Sequence, residues 1–134
     1  MKIDRQSDSK NVAGAVSEIA LIRTRDDATF LTAVKNGSGN LEVIVWRYIN
    51  PSGFQRLGTV QAGTASHVAI TAAGSTSTYI ASMRRGTGDL ELIAFDVEAN
   101  GGITRTGDYG PQQNNDVTET AIVSLGGRPV TATR

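Results

Sequence analysis

The sequence predicts an all-β chain built from four-stranded antiparallel units, and three observations carry that prediction. One stretch occurs twice at an offset of 49 residues: Thr32–Trp46 (TAVKNGSGNLEVIVW) is answered by Ala81–Phe95 (ASMRRGTGDLELIAF). A third copy opens at Val130–Arg134, which answers Leu31–Lys35. The composition, 39% hydrophobic but only 5% aromatic with 15 glycines, suits short strands joined by tight turns rather than a helical bundle. Finally, no stretch keeps a helical period over three turns, while Gly- and Asn-rich turns punctuate the chain at short intervals.

The elements follow in order. Ile3–Asp8 is apolar–polar–Arg in pattern, matches Phe54–Thr59 and Ile103–Asp108, and reads as the outer strand of a unit. Residues 9–16 form a connector, a role that recurs at Val60–Ala65 and Gly110–Val117. In the first full copy, Glu18–Arg23 is an apolar inner strand, Arg25–Ala28 a turn and Phe30–Lys35 a second strand. Asn36–Asn40 is a tight hairpin, because Gly and Asn tolerate the positive φ that such turns need. Leu41–Ile49 is the third strand, with Leu, Val, Val and Arg on one side and Glu, Ile, Trp and Tyr on the other. Both faces are apolar at its middle, as in a strand held between two layers. Asn50–Gly53 turns the chain into a polar fourth strand, Phe54–Thr59. The second copy repeats each step without a gap from Ser66 to Gly107. Residues 1–134 thus form a single repeat domain with units at 17–59 and 66–108, a partial unit at 118–134 and the outer strand 3–8.

Four strands per unit, short hairpins within it and a longer crossing between units describe the blade of a β-propeller, whose period fits as well. The stretch Gly37–Trp46 with its partner Gly86–Phe95, and the recurring Gly53…Arg56-x-Gly58 and Gly102…Arg105-x-Gly107, resemble bacterial β-propeller repeats over nearly the whole chain. The alternative is a β-trefoil, which also takes four strands per unit; three full units would need more residues than the 134 here. Fewer than three blades do not close a ring, and natural proteins seldom leave strand edges bare. The expectation is therefore a ring completed by homo-oligomerisation, with one subunit's amino-terminal strand sharing a blade with another's carboxy-terminal pair. A dimer of about six blades is the favoured assembly.

Charge and composition exclude several classes of function. Thirteen basic and thirteen acidic residues cancel, so no net field draws the chain to nucleic acid or to an anionic membrane. With no cysteine there is no disulfide framework, thiolate metal site or cysteine nucleophile. No apolar run reaches the length of a membrane span, and the first residues, MKIDR, are not those of a secretory signal, so no localisation follows. One histidine and no Gly-x-Ser-x-Gly elbow leave a nucleophilic triad unsupported, and Gly86-Thr87-Gly88 is a hairpin tip without the lysine and helix of a phosphate loop.

The candidate residues fall into three groups. Tyr48 and Tyr109 are not repeated, which sets them apart from the matched aromatics Trp46/Phe95 and Phe30/Tyr79 of the core, and makes them candidates for an exposed stacking surface. Arg56 and Arg105, like Arg5, recur at one place in the outer strand. They offer a fork to an acidic ligand group, or pair with Glu42, Glu91 and Asp96 to hold the unit together. Glu18, His67 and Glu119 stand at the start of successive inner strands, where a propeller has its central channel, and are the weak candidates for holding a cation.

The expected function is that of a non-enzymatic module, without a cofactor, that assembles with itself and binds a ligand at blade tips or in clefts. A glycan is the ligand class that the resemblance implies. The alternatives are a purely structural propeller fragment, natural or engineered, and a metal-dependent hydrolase or lactonase-like propeller.

Overall fold

A computed structural model describes residues 14–26, 28–50, 53–74, 77–112 and 117–134, with side chains omitted at 110–112. The expected outer strand 3–8, with Arg5, and most of the connector before β1 lie outside the described residues, as do Pro51 and Ser52 of the second turn. Among the described residues the chain is all-β, and none form a helix, so no helix is long and apolar enough to cross a membrane.

The described residues form nine strands in succession: β1 (Val16–Arg23), β2 (Thr29–Asn36), β3 (Asn40–Ile49), β4 (Gly53–Ala72), β5 (Thr78–Arg85), β6 (Leu90–Val97), β7 (Ile103–Gln112), β8 (Thr120–Leu125) and β9 (Arg128–Thr133). β1 to β7 make one antiparallel sheet in sequence order, and β8 pairs with β9 as a separate hairpin. Among the described residues the seven-stranded sheet is open and does not close into a barrel.

The sequence places a connector at Val60–Ala65, and here the structure corrects it. The chain does not break; β4 runs extended for 20 residues. Its Gly53–Thr64 part pairs with β3 and its Ala65–Ala72 part with β5. The backbone thus passes its hydrogen bonds from one partner to the next, which leaves no stretch of unpaired amides to make into a loop. The Ala65 amide, at the changeover, donates to the Gly39 carbonyl at 2.9 Å. One unit later the Val117 amide donates to the Gly88 carbonyl at 3.1 Å. The same step therefore leads into the second unit and into the β8–β9 hairpin.

Local sequence explains the turns. In the first hairpin Gly39 has φ +82°, and the Asn36 Oδ1 accepts from the amides of Ser38 and Asn40. A β-bulge falls at the same place in both units: Leu57 of β4 is the extra residue opposite Val45 and Trp46, and Thr106 of β7 the extra residue opposite Ala94 and Phe95. A bulge sharpens the local twist of the strand that carries it.

Period-two alternation then gives each unit two faces. In the first, Ala20, Ile22, Leu31, Ala33, Leu41, Val43 and Val45 look one way; Ile19, Leu21, Phe30, Thr32, Val34, Ile44 and Trp46 look the other. We call these the back and the front. The back of unit one and the front of unit two (Ile70, Tyr79, Ala81, Met83, Ile93 and Phe95) form one buried cluster. The repeat is therefore also a packing rule: each back receives the next front. Hairpin β8–β9 takes the following place, against β4 and β5, where the Thr120 hydroxyl donates to or accepts from the Ser82 hydroxyl at 3.0 Å.

Candidate functional site

The recurring arginines are engaged within their own units. The Arg56 guanidinium donates to Glu42 Oε1 at 2.5 Å, and Thr59 adds a hydroxyl to the same oxygen at 3.0 Å. In the second unit Arg105 donates to Glu91 Oε1 at 3.4 Å and meets Asp108 at 2.9 Å, while Arg85 holds the other Glu91 oxygen at 3.1 Å. Glu91 is buried, so its two arginine partners offset the loss of hydration that an unpaired carboxylate would suffer there. This repeated pair accounts for both arginines and both glutamates by their structural work. Asp96 is paired elsewhere, accepting from the Thr78 hydroxyl at 2.5 Å.

Glu18, His67 and Glu119 do come together. They line one hollow of about 570 Å³ at the start of the inner strands, with Ile19, Val68, Thr120 and Arg134. Two are at bulges: Glu18 in β1, and His67 in β4, where it takes φ +53° and its Nδ1 lies 3.2 Å from the Ser66 hydroxyl. Glu18 accepts from the Val68 amide at 3.2 Å and lies 3.7 Å from Lys35 Nζ. Among the described residues, no three His, Asp or Glu side chains are grouped so as to share a metal ion.

The two unrepeated tyrosines are placed differently. Tyr48 leans on Phe54 with ring centroids 5.5 Å apart, and Phe54 meets Phe30 edge-on at 5.6 Å. Phe30 in turn stacks on Trp46 at 6.4 Å, so Tyr48 ends an aromatic row on the front of unit one. Tyr109 is 67% exposed and stands at a recess of about 300 Å³ on the back of unit two. The recess is lined by Ile80, Leu92, Ala94, Gly107, Asp108, Tyr109 and Pro129. Arg105 reaches its rim through Asp108.

Its lining has a precise counterpart inside the molecule. Ile80, Leu92 and Ala94 are the second-copy versions of Leu31, Val43 and Val45, all three wholly buried beneath the front of unit two. The same positions are thus sealed core in one unit and an open apolar recess in the next. β8 and β9 cover the inner part of that back face, and no strand equivalent to β3 or β6 lies beside β9 among the described residues. Sequence reading singled out Tyr109 but not Ile80, Leu92, Ala94 or Pro129. Their signal was present as residues matched to a core, and nothing in the sequence marks which copy of a core is left open.

A third opening, about 260 Å³, lies between the units at the β1–β2 turn, with Thr24, Arg25, Asp26, Tyr79 and Glu98 around it. Burial pushes the Tyr79 phenol above its ordinary value near 10, partly opposed by a hydrogen bond with the Arg25 backbone and by the Arg25 charge.

No protein-family model, characterised protein or solved structure matches the chain.

Proposed function

We propose that the chain is a non-enzymatic module of β-propeller type, in which the four-stranded units are blades and the function is assembly through blade faces. One observation carries this reading: the back of unit one and the front of unit two are built from matching repeat positions and bury each other. A rule of that kind continues wherever a face is left open. At one end of the molecule Ile19 and Leu21, on the front of unit one, are 64% and 63% exposed, whereas their second-copy counterparts Val68 and Ile70 pack into the core. At the other end Val123, Leu125 and Val130, on the back of β8–β9, are exposed as well. Exposed apolar side chains on two mutually complementary faces favour a head-to-tail contact between copies, which closes as a ring when the rotation per unit allows.

The glycan reading has less support from the geometry. The recess beside Tyr109 offers one carboxylate over a floor of Ile80, Leu92, Ala94 and Pro129, where an oligosaccharide needs several convergent polar groups. Mass measurement by light scattering at micromolar concentration tests the assembly. A multiple of the 14.1 kDa chain mass is expected, and its dissociation by Ile19→Lys or Val130→Lys. A single-chain mass with a cooperative melt overturns the proposal.

A further inference from the structure

The recess on the back of unit two lies next to a residue that identifies what fills it. In unit one the indole of Trp46, on β3, donates to the Thr32 hydroxyl on β2 at 2.8 Å, and both residues are buried. In unit two the matching pair is Phe95 and Ala81. The two positions change together within this one chain: where the aromatic carries an N–H, β2 supplies an acceptor, and where it carries none, the acceptor is gone. That is the satisfaction rule for buried polar groups, applied twice.

β9 carries the third version of this position. The pairing Ile22↔Leu31 and Ala20↔Ala33 of β1–β2 recurs as Val123↔Val130 and Ala121↔Ala132 in β8–β9, so Thr131 stands where Thr32 and Ala81 stand. Thr131 is on the front of the hairpin, the side that meets unit two, and so is Pro129, which lines the recess. Pro129 occupies the place of Phe30 and Tyr79 and leaves room that those rings take up in the other units.

Building on the blade reading above, we infer that the recess is the seat of an extended segment of the β3 type that lies along β9, and that its aromatic residue is tryptophan. The indole fills the space over Ile80, Leu92 and Ala94, and its N–H donates to the Thr131 hydroxyl. A phenylalanine strand of the β6 type fits the apolar floor but leaves that hydroxyl without its donor. Addition of a strand to an open sheet edge supplies backbone hydrogen bonds, and the side-chain pockets beside the edge supply the selectivity.

The test uses the whole chain and two dye-labelled peptides, one with the sequence of residues 36–49 and one with Trp46→Phe, followed by fluorescence anisotropy. We expect the tryptophan peptide to bind about five- to tenfold more tightly, the worth of one well-made hydrogen bond in a dry site. In a Thr131→Ala chain the two peptides bind alike, the tryptophan peptide having weakened. Where copies of the chain already cover the recess, the peptide instead lowers the assembled mass, with the same order of potency. No binding and no change of mass overturns the inference, as does equal binding of both peptides to the unaltered chain, a preference that survives Thr131→Ala, or displacement of the peptide by simple sugars. A single-chain mass combined with selective binding would refute assembly and leave the recess as inferred.

Discussion

Gly58 and Gly107 occupy the same repeat position and meet opposite surroundings, which makes them a matched pair for measuring what one unit contributes to the next. A Cβ built on Gly58 falls 2.4 Å from the Gly101 carbonyl oxygen and 3.4 Å from Ile103 Cγ2, both in unit two. Ordinary contact begins near 3.4 Å, so Gly58→Ala requires the two units to part by about 1 Å. The obstructing atom is backbone, in a turn where Gly101 is itself buried at φ +90°, so it does not yield cheaply. Overpacking of this sort costs about 1–3 kcal/mol, and loss of the glycine's freedom in the unfolded chain returns about 0.5–1 kcal/mol. Gly58→Ala should therefore destabilise by roughly 1–2 kcal/mol. A Cβ on Gly107 meets nothing within 4 Å, so only the favourable part remains and Gly107→Ala should stabilise a single chain by about 0.5 kcal/mol. Urea titrations followed by Trp46 fluorescence, compared at equal m, read the difference. Equal effects of the two substitutions, or a larger loss at Gly107, would refute the claim that unit two covers the back of unit one at Gly58 while the back of unit two is open at Gly107.

Further outcomes follow from the same structure. Trp46→Phe should cost about 1–2 kcal/mol by stranding the buried Thr32 hydroxyl, and adding Thr32→Ala should recover part of it, a coupling of about 1 kcal/mol in a double-mutant cycle. Glu91→Gln should cost about 1–2 kcal/mol and respond little to salt, because that carboxylate is buried between Arg85 and Arg105. Arg56→Ala should cost less than about 1 kcal/mol, its side chain being 35% exposed, and salt should diminish the effect. For Tyr79, the folded state holds its proton to higher pH than the unfolded chain does, so the unfolded state binds fewer protons above pH 10 and stability falls as pH rises through that range. Tyr79→Phe should flatten the alkaline limb of a plot of melting temperature against pH.

The strands and their faces were legible in the sequence because each is a local property. Alternation in Leu41–Ile49 predicted two buried sides, and Leu41, Val43, Val45, Ile44 and Trp46 are all buried. The Arg56–Glu42 and Arg105–Glu91 pairs were among the pairings open to it. The expected break at Val60–Ala65 was not found, since Gln61, Gly63 and Thr64 have the polarity of a loop while their backbone is held by β3 and then β5. Polarity reports what a side chain faces, and Gln61, Gly63 and Thr64 are exposed although the strand that carries them is paired with β3 and then β5. Nor do the bulges at Leu57 and Thr106 leave a mark in composition, since the two extra residues are of different kinds, one apolar and one polar.

A repeat hides the difference between interior and end, and that difference is where the candidate site lies. Leu31, Val43 and Val45 are core because Phe95 and Ile93 of unit two join their cluster; Ile80, Leu92 and Ala94 are alike in kind and line a recess. No rule applied to one residue at a time separates the two sets. Comparison of copies does, because a residue that answers a partner in one unit keeps its chemistry in another. Thr131 has a hydroxyl where unit two, with its phenylalanine, has only the methyl of Ala81. Solubility alone does not explain that hydroxyl, for the strand has another threonine, the exposed Thr133, that serves it as well. Its position, facing the back of unit two and one residue pair from the recess, matches the geometry in which Thr32 receives the indole N–H. The chain thus carries in its first unit the template for reading its third.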